Sequence, residues 1–175
     1  MPEPGTAELT IRPVQSIDDI HPQDWNGFVG RYNPFLQHEF LLALEESGCT
    51  NTATGWQPAH LAFYLNNRLA GVAPAYLKTH SMGEYVFDWA WADAYQRHGL
   101  EYYPKILTAV PMTPITGPRF ISSLSMKETP ALINAAIEWL EQNQMSSWHI
   151  NFVNETVAKA LGNKPLLRRH DIQFH

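Results

Sequence analysis

The stretch PAHLAFYLNNRLAGVAPAYL, from Pro58 to Leu77, decides the fold class. Its first half alternates between apolar and smaller or more polar residues, a period of two that is typical of a β-strand with one buried face. Asn66-Asn67 ends the alternation with residues that tolerate the positive φ angles of a tight turn. Gly71 and Pro74 then disturb the returning strand. The stretch therefore predicts a β-hairpin with a bulge or an irregular ladder, and its buried face carries Leu61, Phe63 and Leu65.

Strands and helices are predicted on both sides of this hairpin. Upstream, the patterns indicate a strand at Glu8–Val14, a short helix at Ile20–Val29 and an amphipathic helix from the Asn33-Pro34 cap to Gly48. Downstream, they indicate strands at Glu84–Trp89, Lys105–Val110, Trp148–Val153 and Asp171–His175, and helices at Trp91–Arg97, from Thr129 and from Asn154. This order predicts an α/β (α+β) fold in which helices flank a mixed central sheet.

The composition excludes several classes of protein. The chain has 175 residues, of which 45% are hydrophobic and 17% charged, so one domain with a substantial core is expected. A net charge of −5 and the absence of basic runs argue against a duplex nucleic-acid partner. The chain lacks a signal-peptide pattern, and no apolar run is long enough to span a membrane. With Cys49 as the only cysteine, we expect a cytoplasmic protein without an intrachain disulfide.

Common catalytic and cofactor motifs are missing from the sequence. The eight histidines form neither an i, i+4 pair nor a His-x-His, so no metal site is expected. Gly-x-Ser-x-Gly, the P-loop and the Gly-x-Gly-x-x-Gly fingerprint are all absent. Cys49 follows the end of a predicted helix, where nothing lowers its pKa, so we interpret it as an idle or structural thiol.

The stretch YVFDWAWADAYQRHGLEYYPK, from Tyr85 to Lys105, carries the main candidate site, because its seven aromatic residues are interleaved with charged ones. Tyrosine and tryptophan combine flat apolar area with a polar tip, which suits a partly polar ligand. The hypothesis is a groove on which the rings, Asp88, Asp93, Arg97, Tyr102 and Lys105 converge. The alternative is that most rings belong to the core while the charges lie on solvated loops.

Within that groove, Asp88 and Asp93 are the candidate catalytic carboxylates. The candidate substrate-binding residues are Trp89, Trp91, Tyr95, Tyr103, Lys105 and, in the later Gly-Pro-Arg, Arg119. A guanidinium in such a loop can hold a carboxylate or a phosphate, and the alternative is a local ion pair. His38 and Glu39 are better explained as a solvated helix face than as a site.

Several segments together resemble the FemAB-like family of predicted N-acyltransferases, bacterial proteins related to peptidoglycan biosynthesis. The resemblance rests on NPFLQHEFLLALEESGC, GWQPAHL, LAGVAPAYLKTHSMGEYVFDWAWADAYQRHGLEYYPK, AVPMTPITGPRF and RRHDIQFH, and it covers nearly the whole chain. It implies a GNAT-like acyltransferase fold and makes residues 1–175 a single domain, the N-terminal half of a two-domain parent cut within its last strand. Fem-type enzymes add amino acids to the peptide stem of peptidoglycan precursors and use aminoacyl-tRNA as the donor.

One departure from the superfamily pattern concerns the acyl donor. Members that use acetyl-CoA carry an Arg/Gln-x-x-Gly-x-Gly/Ala loop whose backbone N–H groups hold the pyrophosphate. The corresponding stretch, GPRFISSLSMKETP from Gly117 to Pro130, lacks those glycines. We therefore expect no cofactor in this domain itself, and a donor, aminoacyl-tRNA or acyl-CoA, that is held by the parent protein.

The resulting functional prediction is the N-terminal domain of an acyl- or aminoacyltransferase whose acceptor is an amine, such as a peptidoglycan precursor. Such a reaction requires a deprotonated amine, aligned substrates and a stabilised oxyanion. Two alternatives stay open: a non-catalytic binding or assembly module on a degenerate acyltransferase fold, and a small-molecule N-acetyltransferase. The isolated half is expected to be inactive and to form a dimer through the cut strand at Asp171–His175.

Overall fold

The predicted hairpin is present in the computed structural model, which describes residues 8–124, 129–161 and 166–170. Its first arm consists of strands β2 (Trp56–Pro58) and β3 (His60–Leu65), and its second arm of β4 (Arg68–Ala73) and β5 (Ala75–Lys78). Asn66 and Asn67 form the turn with φ angles of 50° and 62°. Leu61 and Phe63 are fully buried, as the alternation predicts.

The two arms of the hairpin pass from one sheet into another. One four-stranded sheet has the order β1-β3-β4-β7, with β1 at Leu9–Val14 and β7 at Ile121–Ser122; the other has the order β2-β5-β6-β8, with β6 at Lys105–Thr108 and β8 at Trp148–Ile150. The crossing lies at Ala59 and Pro74. Since proline has no N–H to donate, the ladder breaks there, and it resumes where Ala59 N donates to Ala75 O at 2.9 Å.

A register shift confirms the predicted irregularity of the hairpin. Between Phe63 and Tyr64 the pairing with β4 moves by one residue, which is the signature of a β-bulge. Gly71 faces Ser122 of β7 across the sheet. A Cβ atom at Gly71 would lie 2.6 Å from Ser122 Cβ, so glycine is what lets β7 approach β4.

Helices cover both faces of the hairpin. Ala62 and Val72 pack against α1 (Pro22–Val29) and α2 (His38–Glu46). Leu61 and Phe63, on the opposite face, pack against α4 (Thr129–Gln142) and α5 (Glu155–Leu161). Helix α4 lies in the connection from β6 to β8, whose pairing is parallel, while the other pairings between these strands are antiparallel. The predicted mixed sheet flanked by helices is confirmed.

Two predicted elements differ from the structure. The expected helix from Asn33 is interrupted: a 3-10 turn spans Pro34–Leu36, Gln37 is extended, and α2 begins only at His38. Asn33 makes no capping hydrogen bond, because the chain does not enter an α-helix there. Residues 84–88 form a loop instead of a strand, and Trp89 is the first residue of helix α3 (Trp89–Arg97).

Strand β7, Ile121–Ser122, was not predicted from sequence patterns, since two residues are too few to show a period. The predicted strand at Asp171–His175, and with it the proposed dimer contact, lies outside the described residues. Among the residues that the structure describes, no helix has both the length and the apolar character needed to cross a membrane.

Candidate functional site

A cluster of polar side chains is buried at the start of β6, between the loop that follows β5 and the middle of β8. We call it the polar cluster; its members are Ser81, Glu84, Asp88, Tyr102, Lys105 and His149. Lys105 Nζ donates to Asp88 Oδ2 at 2.6 Å, to Ser81 Oγ at 2.9 Å and to Glu84 Oε2 at 3.0 Å. The Lys105 and Glu84 side chains are fully buried and that of Asp88 is 3% exposed. The Lys105 ammonium group therefore stabilises two carboxylates that are buried away from solvent.

The loop before α3 turns both carboxylates inward. Tyr85 has a φ of 55°, a left-handed conformation that is uncommon outside glycine. Around it the side chains alternate between inside and outside, so Glu84 and Asp88 are buried while Tyr85 and Phe87 are exposed. The alternation in burial therefore arises because Glu84 and Asp88 both bond Lys105, and it does not indicate a β-strand.

Tyr102 connects the carboxylates to His149. The Tyr102 hydroxyl donates to Asp88 Oδ2 at 2.8 Å, and its oxygen lies 3.3 Å from His149 Nε2. Because the hydroxyl proton points at Asp88, the imidazole must donate from Nε2, which leaves the lone pair on Nδ1. His149 Nδ1 lies 3.9 Å from Asp88 Oδ2, too far for a hydrogen bond. At 22% exposure, the His149 side chain is where the cluster reaches solvent.

Burial and charge shift the pKa values of the cluster in opposite directions. Burial raises the pKa of Glu84, although the Lys105 charge opposes it. Burial would also raise that of Asp88, but hydrogen bonds from Lys105, Ser81 and Tyr102 outweigh it and the pKa is lowered. Burial and the bond to Asp88 raise the pKa of Tyr102 well above its usual range. Burial, reinforced by the Lys105 charge, lowers the pKa of His149 to about 4, so the imidazole is neutral at pH 7.

A second buried lysine lies beside the cluster. Lys78 of β5 is the register partner of Lys105 on β6. Its Nζ lies 3.7 Å from the centroid of the Trp56 ring and donates to Met82 O at 3.2 Å. Burial, with a contribution from the Lys105 charge, lowers the pKa of Lys78 to about 8, while Glu84 and Asp88 act against this shift. Lys78 can therefore change its charge near neutral pH.

An exposed aromatic surface adjoins the cluster along the chain. We use this name for Tyr85, Phe87, Trp89 and Trp91, whose exposed fractions are 56, 70, 59 and 52%. Trp91 and Tyr95 share one face of α3, since they are four residues apart. The Tyr95 ring packs edge-on against Tyr102, with centroids 5.1 Å apart. This ring contact links helix α3 to the polar cluster, and a run of exposed aromatic residues such as this one is typical of a binding surface.

The structure brings together some of the residues predicted from sequence. Asp88 and Lys105 are bonded to each other, Tyr103 reaches the cluster through its hydroxyl, 2.7 Å from Ser81 Oγ, and Tyr95 contacts Tyr102. Trp89 and Trp91 belong to the exposed aromatic surface. These contacts leave the roles of the residues as predictions.

Two predicted site residues lie apart from the cluster. Asp93 is 62% exposed and pairs with Arg97 at 2.8 Å, on a different face of α3 from Trp91 and Tyr95. Arg119 is fully buried and donates to main-chain oxygens, among them Asn151 O at 2.8 Å. Burial lowers the pKa of Arg119 to about 10. The expectation that Arg119 presents its guanidinium to a ligand is therefore corrected: it holds neighbouring loops together.

Three members of the cluster were not found from the sequence: Ser81, Glu84 and His149. Ser81 and Glu84 lie in a loop without a periodic signal, and their role depends on Lys105, which follows far along the chain. His149 carried one weak signal, a titratable residue between Trp148 and Ile150 in a short apolar strand.

The same cluster has the ligand types of a metal centre. Glu84, Asp88 and His149 each offer a donor atom, all within 4.8 Å of one another. Lys105 Nζ already bonds both carboxylates, however, and a metal ion there would meet its positive charge at close range. Because a divalent ion would add two positive charges beside Lys105, the donor set as folded fits a singly charged ammonium better than a metal.

Comparisons with known proteins agree with this fold. The FemAB-like family model, described as peptidoglycan biosynthesis/recognition, matches residues 16–175. Among solved structures, the aminoglycoside N-acetyltransferase AAC(6')-Iy in complex with CoA has a TM-score of 0.56 and 15% identity, over 98% of this chain and 96% of that chain. At that identity the likeness shows the fold alone, and it confirms the predicted GNAT-like fold. A search of curated proteins finds no match.

Proposed function

The chain belongs to the FemAB-like family, and from this premise we propose that it is an acyltransferase domain that joins an activated acyl group to an amine acceptor. The observation that carries the proposal is the polar cluster, in which buried acidic, basic and phenolic groups lead to one partly exposed imidazole, His149. Perturbed titratable groups beside a binding surface are the usual mark of an active site.

The chemistry of acyl transfer fits these groups. An amine attacks the acyl carbon through its lone pair, so it must be neutral when it reacts. The new C–N bond forms as the bond from the acyl carbon to the sulfur or oxygen of the donor breaks, and the proton that the amine loses is taken up by the departing thiolate or alkoxide. His149 is neutral at pH 7, and its Nδ1, 3.9 Å from Asp88 Oδ2, carries a lone pair that can accept a hydrogen bond from the acceptor. Asp88 acts from behind: it holds the Tyr102 hydroxyl, which fixes the orientation of the imidazole.

The acceptor that we propose is a peptidoglycan precursor, and the exposed aromatic surface is its platform. The family description and the four exposed rings support this assignment. The donor is acyl-CoA or aminoacyl-tRNA. The structural relative was solved with CoA, whereas the segment before α4 of this chain lacks the phosphate-binding glycines.

A direct test is a transfer assay on this chain with each donor in turn. Acetyl-CoA or aminoacyl-tRNA is mixed with a muramyl pentapeptide, and the acylated product is detected by mass spectrometry. A product that disappears in His149→Phe but persists in His98→Phe, a variant of an exposed histidine at the end of α3, supports the proposal. Equal activity in both variants would refute the role of the cluster.

A second candidate function is a non-catalytic binding module on an acyltransferase fold. The absence of glycine between Arg119 and Glu128 favours it. Thermal shift separates the two readings, because a ligand that binds only the native state must raise the melting temperature. A shift with the muramyl pentapeptide, without transfer from either donor, would favour the binding module. A product with a small amine, such as an aminoglycoside, would instead indicate a small-molecule N-acetyltransferase.

A further inference from the structure

Two hydrogen-bond acceptors in the polar cluster have no donor among the described residues. Glu84 Oε1 and Asp88 Oδ1 are buried without a hydrogen-bond partner. His149 Nδ1 carries a lone pair, and Asp88 Oδ2, its nearest carboxylate oxygen, lies 3.9 Å away. A buried acceptor that stays unpaired costs about 1–3 kcal/mol, and more when it is charged. A folded protein rarely keeps several in one place without a purpose.

We propose that these acceptors form a subsite for one primary ammonium group, held between His149, Asp88 and Glu84. The subsite rests on the proposed function, because it would seat the amine of the acceptor. A primary ammonium has three N–H donors, enough for the two unpaired carboxylate oxygens and the lone pair of His149 Nδ1. Lys105 shows that this environment suits such a group, since its own ammonium is bound by the same two carboxylates and by Ser81.

The three groups lie close enough together to share one small cationic group. Glu84, Asp88 and His149 each offer one ligand atom, and these atoms lie within 4.8 Å of one another. A nitrogen placed about 2.8 Å from two of them bridges such a gap with ordinary hydrogen bonds. The solvent-accessible part of these three groups is the 22% exposed imidazole of His149, which packs beside the ring of Tyr102. The ligand therefore has to carry its amine on a slender chain.

Charge neutrality requires one compensating change when the ammonium enters. With Lys78 and Lys105 both protonated, and Glu84 and Asp88 both ionised, the charges of this region sum to zero, and an added ammonium would leave one buried positive charge. Lys78 can release its proton at small cost, because its pKa is about 8. Ammonium binding is therefore linked to loss of the Lys78 charge.

The experiment uses three small probes on the whole chain. n-Butylammonium has both charge and N–H donors, tetramethylammonium has charge without donors, and n-butanol has a donor without charge. Each is titrated at millimolar concentration while the ring nitrogens of His149 are followed by NMR. We expect a saturable shift with n-butylammonium alone. Equal shifts with tetramethylammonium or n-butanol would overturn the subsite.

Two variants make the result specific. His149→Phe keeps a ring against Tyr102, and we expect it to weaken n-butylammonium binding at least tenfold, measured by calorimetry. Lys78→Met removes the competing charge with a side chain of similar shape, and we expect severalfold tighter binding, a gain that a misfolded variant cannot show. Unchanged affinity in either variant would contradict the proposal.

The outcomes keep the subsite and the proposed function apart. A metal site would replace the ammonium site under two conditions. Zinc would have to abolish the n-butylammonium shift, and Lys78→Met would have to bind zinc while showing no affinity for n-butylammonium. Acyl transfer without n-butylammonium binding would refute the subsite and spare the function. Ammonium binding without transfer from any donor would support the subsite and refute the function.

Discussion

Lys105 Nζ and Asp88 Oδ2 lie 2.6 Å apart, and neither side chain is more than 3% exposed. The first residue of β6 is thereby tied to the residue that precedes α3. Glu84 completes this ion pair at 3.0 Å from the same ammonium. Charges that are this deeply buried are tolerated only when they are paired and hydrogen-bonded, so each partner depends on the others.

Removal of the ammonium should therefore destabilise the fold strongly. Lys105→Met leaves two carboxylates buried without their partner, and we expect a loss of about 3–5 kcal/mol in the free energy of unfolding. Urea denaturation followed by circular dichroism measures it. Arg97→Met, which removes an exposed pair with Asp93, is the matched control and should cost less than about 1 kcal/mol. Similar losses in the two variants would contradict the buried geometry.

The depressed pKa of His149 should make stability fall in mild acid. The folded protein binds a proton at His149 only near pH 4, whereas the unfolded chain binds it near the ordinary value of 6.5. The stabilisation that comes from the neutral His149 imidazole is fully present above pH 6.5 and is lost as the pH falls through 4. Its contribution to the free energy of unfolding is about 3 kcal/mol at most. In urea unfolding from pH 4 to pH 7, His149→Phe should show a shallower slope than the parent. Parallel curves would rule out a buried neutral imidazole.

Gly71 should resist substitution, because its hydrogen faces β7. In Gly71→Ala the new methyl would lie 2.6 Å from Ser122 Cβ and 3.0 Å from Ile121 O, and we expect a loss of about 1–3 kcal/mol. Gly27→Ala is the control: it lies within α1, and no atom lies within 4 Å of the added Cβ. Since alanine favours helix, Gly27→Ala should gain up to about 1 kcal/mol in urea unfolding. The same sign in both variants would contradict the β4–β7 contact.

The exposed aromatic surface should matter for ligands and little for folding. Trp89→Ala and Trp91→Ala remove half-exposed rings, so their unfolding free energies should stay within about 0.5 kcal/mol of the parent. Loss of one aromatic contact should raise the KM for the acceptor about 2- to 10-fold. Tyr32→Ala removes a fully exposed ring elsewhere and should leave KM unchanged. Strong destabilisation by the tryptophan variants would show that these rings serve the core.

Acetyl-CoA alone should not bind this chain tightly. The segment from Arg119 to Glu128 lacks the glycines that let backbone N–H groups surround a pyrophosphate. Isothermal titration at micromolar acetyl-CoA is expected to show no stoichiometric heat. Tight one-to-one binding would prove this wrong and would favour acyl-CoA as the donor.

The hairpin, α4 and the strands β1, β6 and β8 could be predicted from the sequence, because each is governed by neighbours along the chain. Alternation indicates which face of a strand is buried, and Asn66-Asn67 marks the turn by its own backbone preferences. The aromatic stretch drew attention to Asp88 and Lys105 for a similar local reason, an unusual mixture of rings and charges. The interruption of the predicted helix at Gln37 shows the limit, since local signals favoured one continuous helix from Asn33.

Only the tertiary structure determines which charged residues of the Tyr85–Lys105 stretch are buried together and which are exposed to solvent. Asp93 and Asp88 are alike in sequence, yet one is paired with Arg97 in solvent and the other is buried against Lys105. His149 and Glu84 join the cluster from distant segments, by a parallel strand pairing and by a loop with a positive φ at Tyr85. Coulomb energies and desolvation depend on the distance between charges and on their burial. Neither the distance nor the burial can be obtained from the order of residues along the chain.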